Sequence, residues 1–78
     1  MSGLVAEVRE SLSLPPPSVA RAIREAAGVS QVRMAAELKV HELTVHRWET
    51  GTRTPTGELR LSYIRLLREL DEATRLSA

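Results

Sequence analysis

The chain has 78 residues, no cysteine, and almost equal numbers of basic and acidic residues, 11 Lys and Arg against 10 Asp and Glu. A chain of this length forms one small domain, and without cysteine it has neither a disulfide nor a cysteine-ligated zinc site to stabilise it. No apolar run approaches the ~18 residues of a membrane-spanning helix, and the N-terminus lacks the basic start of a signal peptide. We therefore expect a cytoplasmic protein with an aliphatic, helical core, or with a core that a second subunit completes.

The net charge is only +1, but the charges are unevenly distributed along the chain. Residues 21–53 carry six basic and four acidic residues, whereas residues 1–20 are slightly acidic and the remainder is balanced. Any basic surface is therefore expected in the middle of the chain.

Near the N-terminus, four apolar residues recur at helical spacing and predict a short amphipathic helix over residues 3–12. They are Leu4, Val5, Val8 and Leu12. Three consecutive prolines then end the helix, because each proline removes an N–H donor and disfavours the helical conformation of the residue before it. The chain thus divides into an N-terminal helix with a proline boundary, residues 1–14, and a second unit at residues 15–78.

Two helices are predicted next. The second helix covers residues 17–27, because proline suits a first helical turn and Gly28 is a natural C-terminal stop. The third covers residues 31–38, with Ser30 as its N-cap.

After a tight turn, a fourth helix is predicted over residues 42–49, ending at Gly51, and a last helix opens at Pro55 with Thr56 as its cap candidate. The residues of the second to fifth helices predicted to face the core are Ala20, Ile23, Ala27, Met34, Ala35, Leu38, Val45, Trp48, Leu59, Tyr63, Leu66, Leu67 and Leu70. Since neither strand-like alternation nor an internal repeat occurs, the predicted fold is all-α with five helices.

The third and fourth predicted helices have the layout of a helix-turn-helix, two short helices joined by about three residues. Such a pair holds its second helix at the surface, where it is narrow enough to enter a DNA major groove ~12 Å wide. The sequence around this pair contains an ordered set of residues. In chain order the set comprises Arg24, Gly28, Ser30, Gln31, Met34, Ala35, Leu38, Val40, Thr44, Val45, Arg47, Trp48, Glu49, Gly51 and Pro55.

With this set, residues 18–67 resemble the Cro/C1-type helix-turn-helix family of phage and bacterial repressors. The resemblance implies a lambda-repressor-like domain and a sequence-specific regulator of transcription that occupies an operator in double-stranded DNA. It also implies that residues 42–48 form the recognition helix. The residues of this helix expected to contact bases are Glu42, Leu43, Thr44, His46 and Arg47.

Side-chain chemistry agrees with this implication. Arg47 can make a bidentate contact to guanine O6 and N7, Glu42 can accept from cytosine N4, and Leu43 can cover a thymine methyl group. The alternative for each is an ordinary solvated surface residue.

The family also implies contacts to phosphates. A glutamine at the position of Gln31 touches a phosphate there, beside the positive end of its helix. The phosphate contacts expected in this chain are Gln31, Arg33, His41, Thr52, Arg53 and Thr54. The resemblance further implies a partly buried ion pair between Arg24 and Glu49 that aims the recognition helix.

The chain departs from the family pattern in the turn. Lys39 stands where a glycine is usual, and a non-glycine residue at positive φ costs on the order of 1 kcal/mol. His41 stands where a serine or threonine commonly caps the recognition helix, so a cap or a phosphate neighbour is expected there.

We predict no catalytic residue, metal site, cofactor or small-molecule substrate. His41 and His46 are five residues apart, about 140° around a helix at ~100° per residue, whereas a zinc-protease motif needs two histidines at i and i+4. The alternative function is that of an antitoxin-type module that binds and neutralises a partner protein, because such proteins can use this fold.

We expect a weak homodimer on a palindromic operator, because one two-turn recognition helix reads only a few base pairs. The last helix is the first choice for the dimer surface, since its apolar set is wide and continues to Leu76. The N-terminal helix is the second choice.

Overall fold

The computed structural model describes residues 3–5 and 13–77. Residues 3–5 have helical backbone, and most of the predicted N-terminal helix, including Val8 and Leu12, lies outside the described residues. The remaining helices are α1 (Pro17–Ala26), α2 (Gln31–Leu38), α3 (Glu42–Thr50) and α4 (Gly57–Ser77). The part of the chain that is described contains no strand, which confirms the predicted all-α fold.

The helix boundaries follow from local capping. Helix α2 has the predicted bounds, because the Ser30 hydroxyl accepts the backbone N–H of Arg33 at 3.1 Å. Helix α1 ends one residue earlier than predicted, since Ala27 serves as its C-cap. Helix α3 continues one residue further to Thr50 and stops where Gly51 adopts a left-handed conformation with φ 79°.

The core forms where α3 packs on α1 and α2, and where α4 packs on the same two helices. Its buried residues are Ala20, Met34, Ala35, Val45, Trp48, Tyr63 and Leu67. Each of these residues was predicted to face inward from its spacing. Ile64, only 4% exposed, was missed, although it lies three residues before Leu67 and therefore on the same face of α4.

Trp48 joins α3 to α4. Its ring lies 4.7 Å from the ring of Tyr63, centroid to centroid, at an interplanar angle of 42°. This tilted contact places Trp48 between the two helices, as the sequence predicted.

The apolar residues outside the core differ in how far they are buried. Leu4 and Val5 are exposed and therefore do not close the core. The broad stripe of α4 is used within the subunit, because its half-buried leucines pack against the core. The exposed large apolar residues of α4 are Leu61 and Leu76.

The turn between α2 and α3 contains the strain expected from the sequence. Lys39 adopts a left-handed conformation with φ 57° and ψ 43°, and within the described residues it is the one non-glycine residue at positive φ. The turn is closed by the backbone N–H of Val40, which donates to the carbonyl of Ala35 at 3.0 Å.

Lys39→Gly is expected to raise the free energy of unfolding by about 1 kcal/mol. Relief of left-handed strain, on the order of 1–2 kcal/mol, outweighs the added entropy of the unfolded chain, about 0.4–1 kcal/mol. Denaturant titration followed by circular dichroism measures the change. Gly28→Ala is the matched control, since Gly28 has φ 70° and open space around an added Cβ, and it should destabilise the protein. A Lys39→Gly variant less stable than the wild type would contradict this account.

Candidate nucleic-acid interface

Helix α3 presents one face to solvent because Val45 and Trp48 anchor the opposite face in the core. Of the residues predicted to contact bases, Thr44 is half-buried and the others are exposed. The exposed ones are Glu42, Leu43, His46 and Arg47. Leu43 is 44% exposed, an apolar side chain on an otherwise polar surface.

His41 is the N-cap of α3. Its Nδ1 atom accepts the backbone N–H of Leu43 at 3.1 Å. An imidazole nitrogen accepts only when it carries no proton, so the ring proton resides on Nε2. His41 thus replaces the usual serine or threonine cap and retains one N–H donor for another partner.

The loop after α3 is fastened to the end of that helix. The carbonyl of Arg47 accepts the backbone N–H of Arg53 and the hydroxyl of Thr50, both at 3.2 Å. The hydroxyls of Thr50 and Thr52 lie 2.9 Å apart and share a hydrogen bond. This loop therefore holds a fixed position relative to α3.

Arg47 and Arg53 line one cleft of about 330 Å³ between α3, the loop and the start of α4. Thr44 and Thr54 contribute polar groups to its wall, and Trp48 contributes an apolar one. The cleft thus brings two residues predicted to contact bases, Arg47 and Thr44, beside two predicted to contact phosphate, Arg53 and Thr54.

Arg24 and Glu49 form the ion pair expected from the sequence. Nε of Arg24 donates to Oε2 of Glu49 at 2.6 Å, and Nη2 donates to Oε1 at 2.9 Å. Nη1 donates to the carbonyl of Val29 at 2.8 Å, so one guanidinium ties α1 both to the turn before α2 and to the last turn of α3. The side chains are buried, with exposures of 9% for Arg24 and 2% for Glu49.

Burial opposes ionisation of Glu49, but hydrogen bonds from Arg24 and Gln31 outweigh it and hold the pKa of Glu49 below its ordinary value. The same hydrogen bond from Glu49 raises the pKa of Arg24, despite the opposing effect of burial. Both groups therefore remain charged in the folded protein.

Gln31 is also bonded to this pair, which the sequence did not predict. Its Nε2 atom donates to Oε1 of Glu49 at 3.0 Å, linking the first residue of α2 to the end of α3. Arg33 lies elsewhere, because it lines a groove of about 220 Å³ between α2 and α4 to which no residue of α3 contributes. The structure thus brings Gln31, but not Arg33, into contact with α3.

Tyr63 has a buried hydroxyl that, within the described residues, makes no hydrogen bond. Burial, assisted by the charge of Glu49, raises the pKa of Tyr63 to about 12.

This raised pKa predicts a loss of stability in alkali. The hydroxyl of Tyr63 ionises near pH 10 in the unfolded chain and near pH 12 in the folded protein. The free energy of unfolding should therefore be unaffected by this group below pH 10 and fall by about 2–3 kcal/mol between pH 10 and pH 12. Tyrosinate absorbance measures this directly, because Tyr63 is the only tyrosine in the chain. Tyr63→Phe should remove this part of the alkaline instability, and a midpoint near pH 10 in the folded protein would contradict it.

The described residues include no group of three or more His, Cys, Asp or Glu side chains able to hold a metal ion. No helix among them is long and apolar enough to cross a membrane.

Comparison with known proteins identifies the family. The sequence model of a helix-turn-helix family matches residues 21–74, which is well over half of the chain and includes all of α2 and α3. No curated protein and no solved structure gives a significant match. Members of the matching family bind double-stranded DNA and regulate transcription. The chain therefore belongs to the Cro/C1-type helix-turn-helix family of DNA-binding regulators.

Proposed function

We propose that this protein is a sequence-specific transcription regulator that occupies an operator through α3, placed in the major groove of double-stranded DNA. The observation that carries the proposal is the presentation of α3. The helix is capped by His41, anchored by Val45 and Trp48, and aimed by the ion pair of Arg24 and Glu49. The backbone of a helix held in this way is ordered before binding, so only its exposed side chains lose conformational freedom at the base edges.

The exposed face of α3 supplies the proposed base readout. Arg47 pairs with a guanine through O6 and N7, Glu42 accepts from a cytosine N4, and Leu43 covers a thymine methyl group. Thr44 and His46 complete the contacting face at its edge.

The surrounding groups supply the proposed phosphate contacts. Arg53 and the threonine hydroxyls of the loop after α3 bind the backbone on one side, and Gln31 binds it at the start of α2. The Nε2–H of His41 is a further donor. Phosphate contacts of this kind fix register and orientation, whereas base contacts specify sequence. Arg33, which is exposed and lines the groove between α2 and α4, is proposed as a further phosphate contact on the outward side of α2.

We further propose that two copies bind a palindromic operator in the cytoplasm, with half-sites about one helical turn, ~34 Å, apart. One recognition helix and a net charge of +1 give a single copy limited affinity for DNA, so a second copy adds the contacts that are needed. The dimer is weak in free solution and is strengthened by DNA. Native mass spectrometry of the complex should give two proteins per duplex, and one protein on an asymmetric site would overturn the dimer.

Selection of bound sites from random duplex DNA tests the proposal. We expect a short enriched sequence with two-fold symmetry. Recovery of random sequences with no preference would instead favour a module that binds a partner protein.

Arg47→Ala is expected to weaken binding to the selected duplex by about 1–3 kcal/mol and to flatten preference at one base pair. Fluorescence anisotropy titrations on selected and scrambled duplexes at fixed salt measure both effects. Arg53→Ala is the matched control, because a lost phosphate contact weakens binding equally on both duplexes. An equal loss on both duplexes for Arg47→Ala would show that Arg47 contacts phosphate and not a base.

A further inference from the structure

The carboxylate of Glu49 is bonded both to Arg24 and to Gln31. Glu49, in the last turn of α3, accepts three hydrogen bonds, two from Arg24 and one from Gln31. Gln31 is the first residue of α2, where a phosphate contact is proposed, and it lies 18 residues from Glu49 in the sequence. The buried carboxylate of Glu49, which belongs to α3, therefore also contacts α2, the other helix of the helix-turn-helix.

The chemistry of this contact fixes the orientation of the Gln31 amide. An ionised carboxylate only accepts hydrogen bonds, so Gln31 must turn its nitrogen, and not its oxygen, toward Glu49. A primary amide nitrogen carries two N–H donors, and one of them is bonded to Oε1 of Glu49 at 3.0 Å. The second N–H diverges from the first and remains available to another acceptor.

We propose that Glu49 is a positioning residue for phosphate binding. By accepting one N–H of the Gln31 amide, Glu49 holds the second N–H toward the DNA backbone. The phosphate contact of Gln31 is thereby connected to the end of the recognition helix. A free glutamine side chain samples both amide orientations and many rotamers, so binding a phosphate through its nitrogen would cost the entropy of selecting one of them. Arg24 supports this role because its bidentate pairing with Glu49 keeps the carboxylate ionised and immobile. The phosphate contact of α2 and the base contacts of α3 are then held in one register.

Because this role presupposes the DNA binding proposed above, its test separates the two. Single phosphates of the selected duplex are replaced one at a time by uncharged methylphosphonates, and affinity is measured for the wild type, Gln31→Met and Glu49→Gln. Replacement should weaken binding by the wild type at each contacted phosphate, and at the one bound by Gln31 we expect a loss of about tenfold, the effect of one hydrogen bond to a charged group. At this position the loss should vanish in Gln31→Met and shrink to about threefold or less in Glu49→Gln, whose amide no longer forces the orientation of Gln31.

Glu37→Gln is the matched control, because it removes the same charge from an exposed position on α2 and leaves the Gln31 contact intact. It should preserve the full tenfold loss. If Glu49→Gln also preserves the full loss, Glu49 has only a structural role and the inference is overturned. If no position becomes silent in Gln31→Met while the wild type still prefers the selected duplex, the inference fails and the proposed function stands. A wild type without any sequence preference would overturn both.

Glu49→Gln leaves Arg24 without its counter-charge and is expected to lower stability, so a measurement on the wild type accompanies it. Nuclear magnetic resonance resolves the two amide protons of Gln31. One should be hydrogen-bonded to Glu49 in free and DNA-bound protein, and the other should shift on binding. Loss of the bond to Glu49 on binding, or equal shifts of both protons, would overturn the inference.

Discussion

Trp48→Ala is expected to lower the free energy of unfolding by about 3–5 kcal/mol, a large part of what a domain of this size possesses. Trp48 is only 5% exposed and contacts Tyr63 at 4.7 Å between centroids, so truncation leaves a cavity between α3 and α4. The surrounding helices cannot collapse fully into this cavity, because α3 is also held by Val45 and by the ion pair of Glu49.

Denaturant titration followed by far-ultraviolet circular dichroism measures the effect, since the substitution removes the only tryptophan and its fluorescence. Leu76→Ala is the control, because Leu76 is 79% exposed and its truncation should change little. A Trp48→Ala variant with an unchanged cooperative transition would contradict the position of Trp48 in the core.

Arg24→Ala is expected to lower the free energy of unfolding by about 3–5 kcal/mol, because it leaves the buried carboxylate of Glu49 without a counter-charge. Glu49→Ala alone should also be costly, whereas the double variant should lose clearly less than the two losses together. This double-mutant cycle, measured by denaturant titration, isolates the coupling between the two side chains. Strictly additive losses would mean that they do not interact.

The exposed pair of Arg21 and Glu25, also on α1, is the matched control for this cycle. Its charged atoms lie 3.5 Å apart with side chains 59% and 54% exposed, so solvent screens the attraction and the coupling should be at most ~1 kcal/mol. The pair of Arg24 and Glu49 also depends on pH. The lowered pKa of Glu49 means that its contribution is present above the pKa of an unfolded glutamate and is lost as the pH falls through the folded value.

Features that depend on local sequence were predictable. Helix α2 has the predicted bounds because Ser30 caps it and the turn at Lys39 ends it, and both signals lie within a few residues of the boundary. The burial of Val45 and Trp48 follows from helical periodicity alone. The pairing of Arg24 with Glu49 was expected from the family pattern.

Features that depend on how helices meet were not predictable. The bond from Gln31 to Glu49 requires the start of α2 to reach the end of α3, a distance that no spacing in the sequence reveals. The position of Arg33 beside the groove depends on where α4 crosses α2, and the burial of the wide stripe of α4 depends on its contacts with two helices. Ile64 is different, since its spacing from Leu67 would have identified it.

The most direct test of the central claim, that α3 reads DNA in the major groove, is methylation interference on the selected duplex. Methylation at guanine N7 blocks the major-groove edge, and methylation at adenine N3 blocks the minor groove. We predict that N7 methylation of one or more guanines in each half-site abolishes binding by the wild type, and that Arg47→Ala loses this sensitivity at one guanine. Interference confined to adenine N3, or none at either groove, would contradict the account.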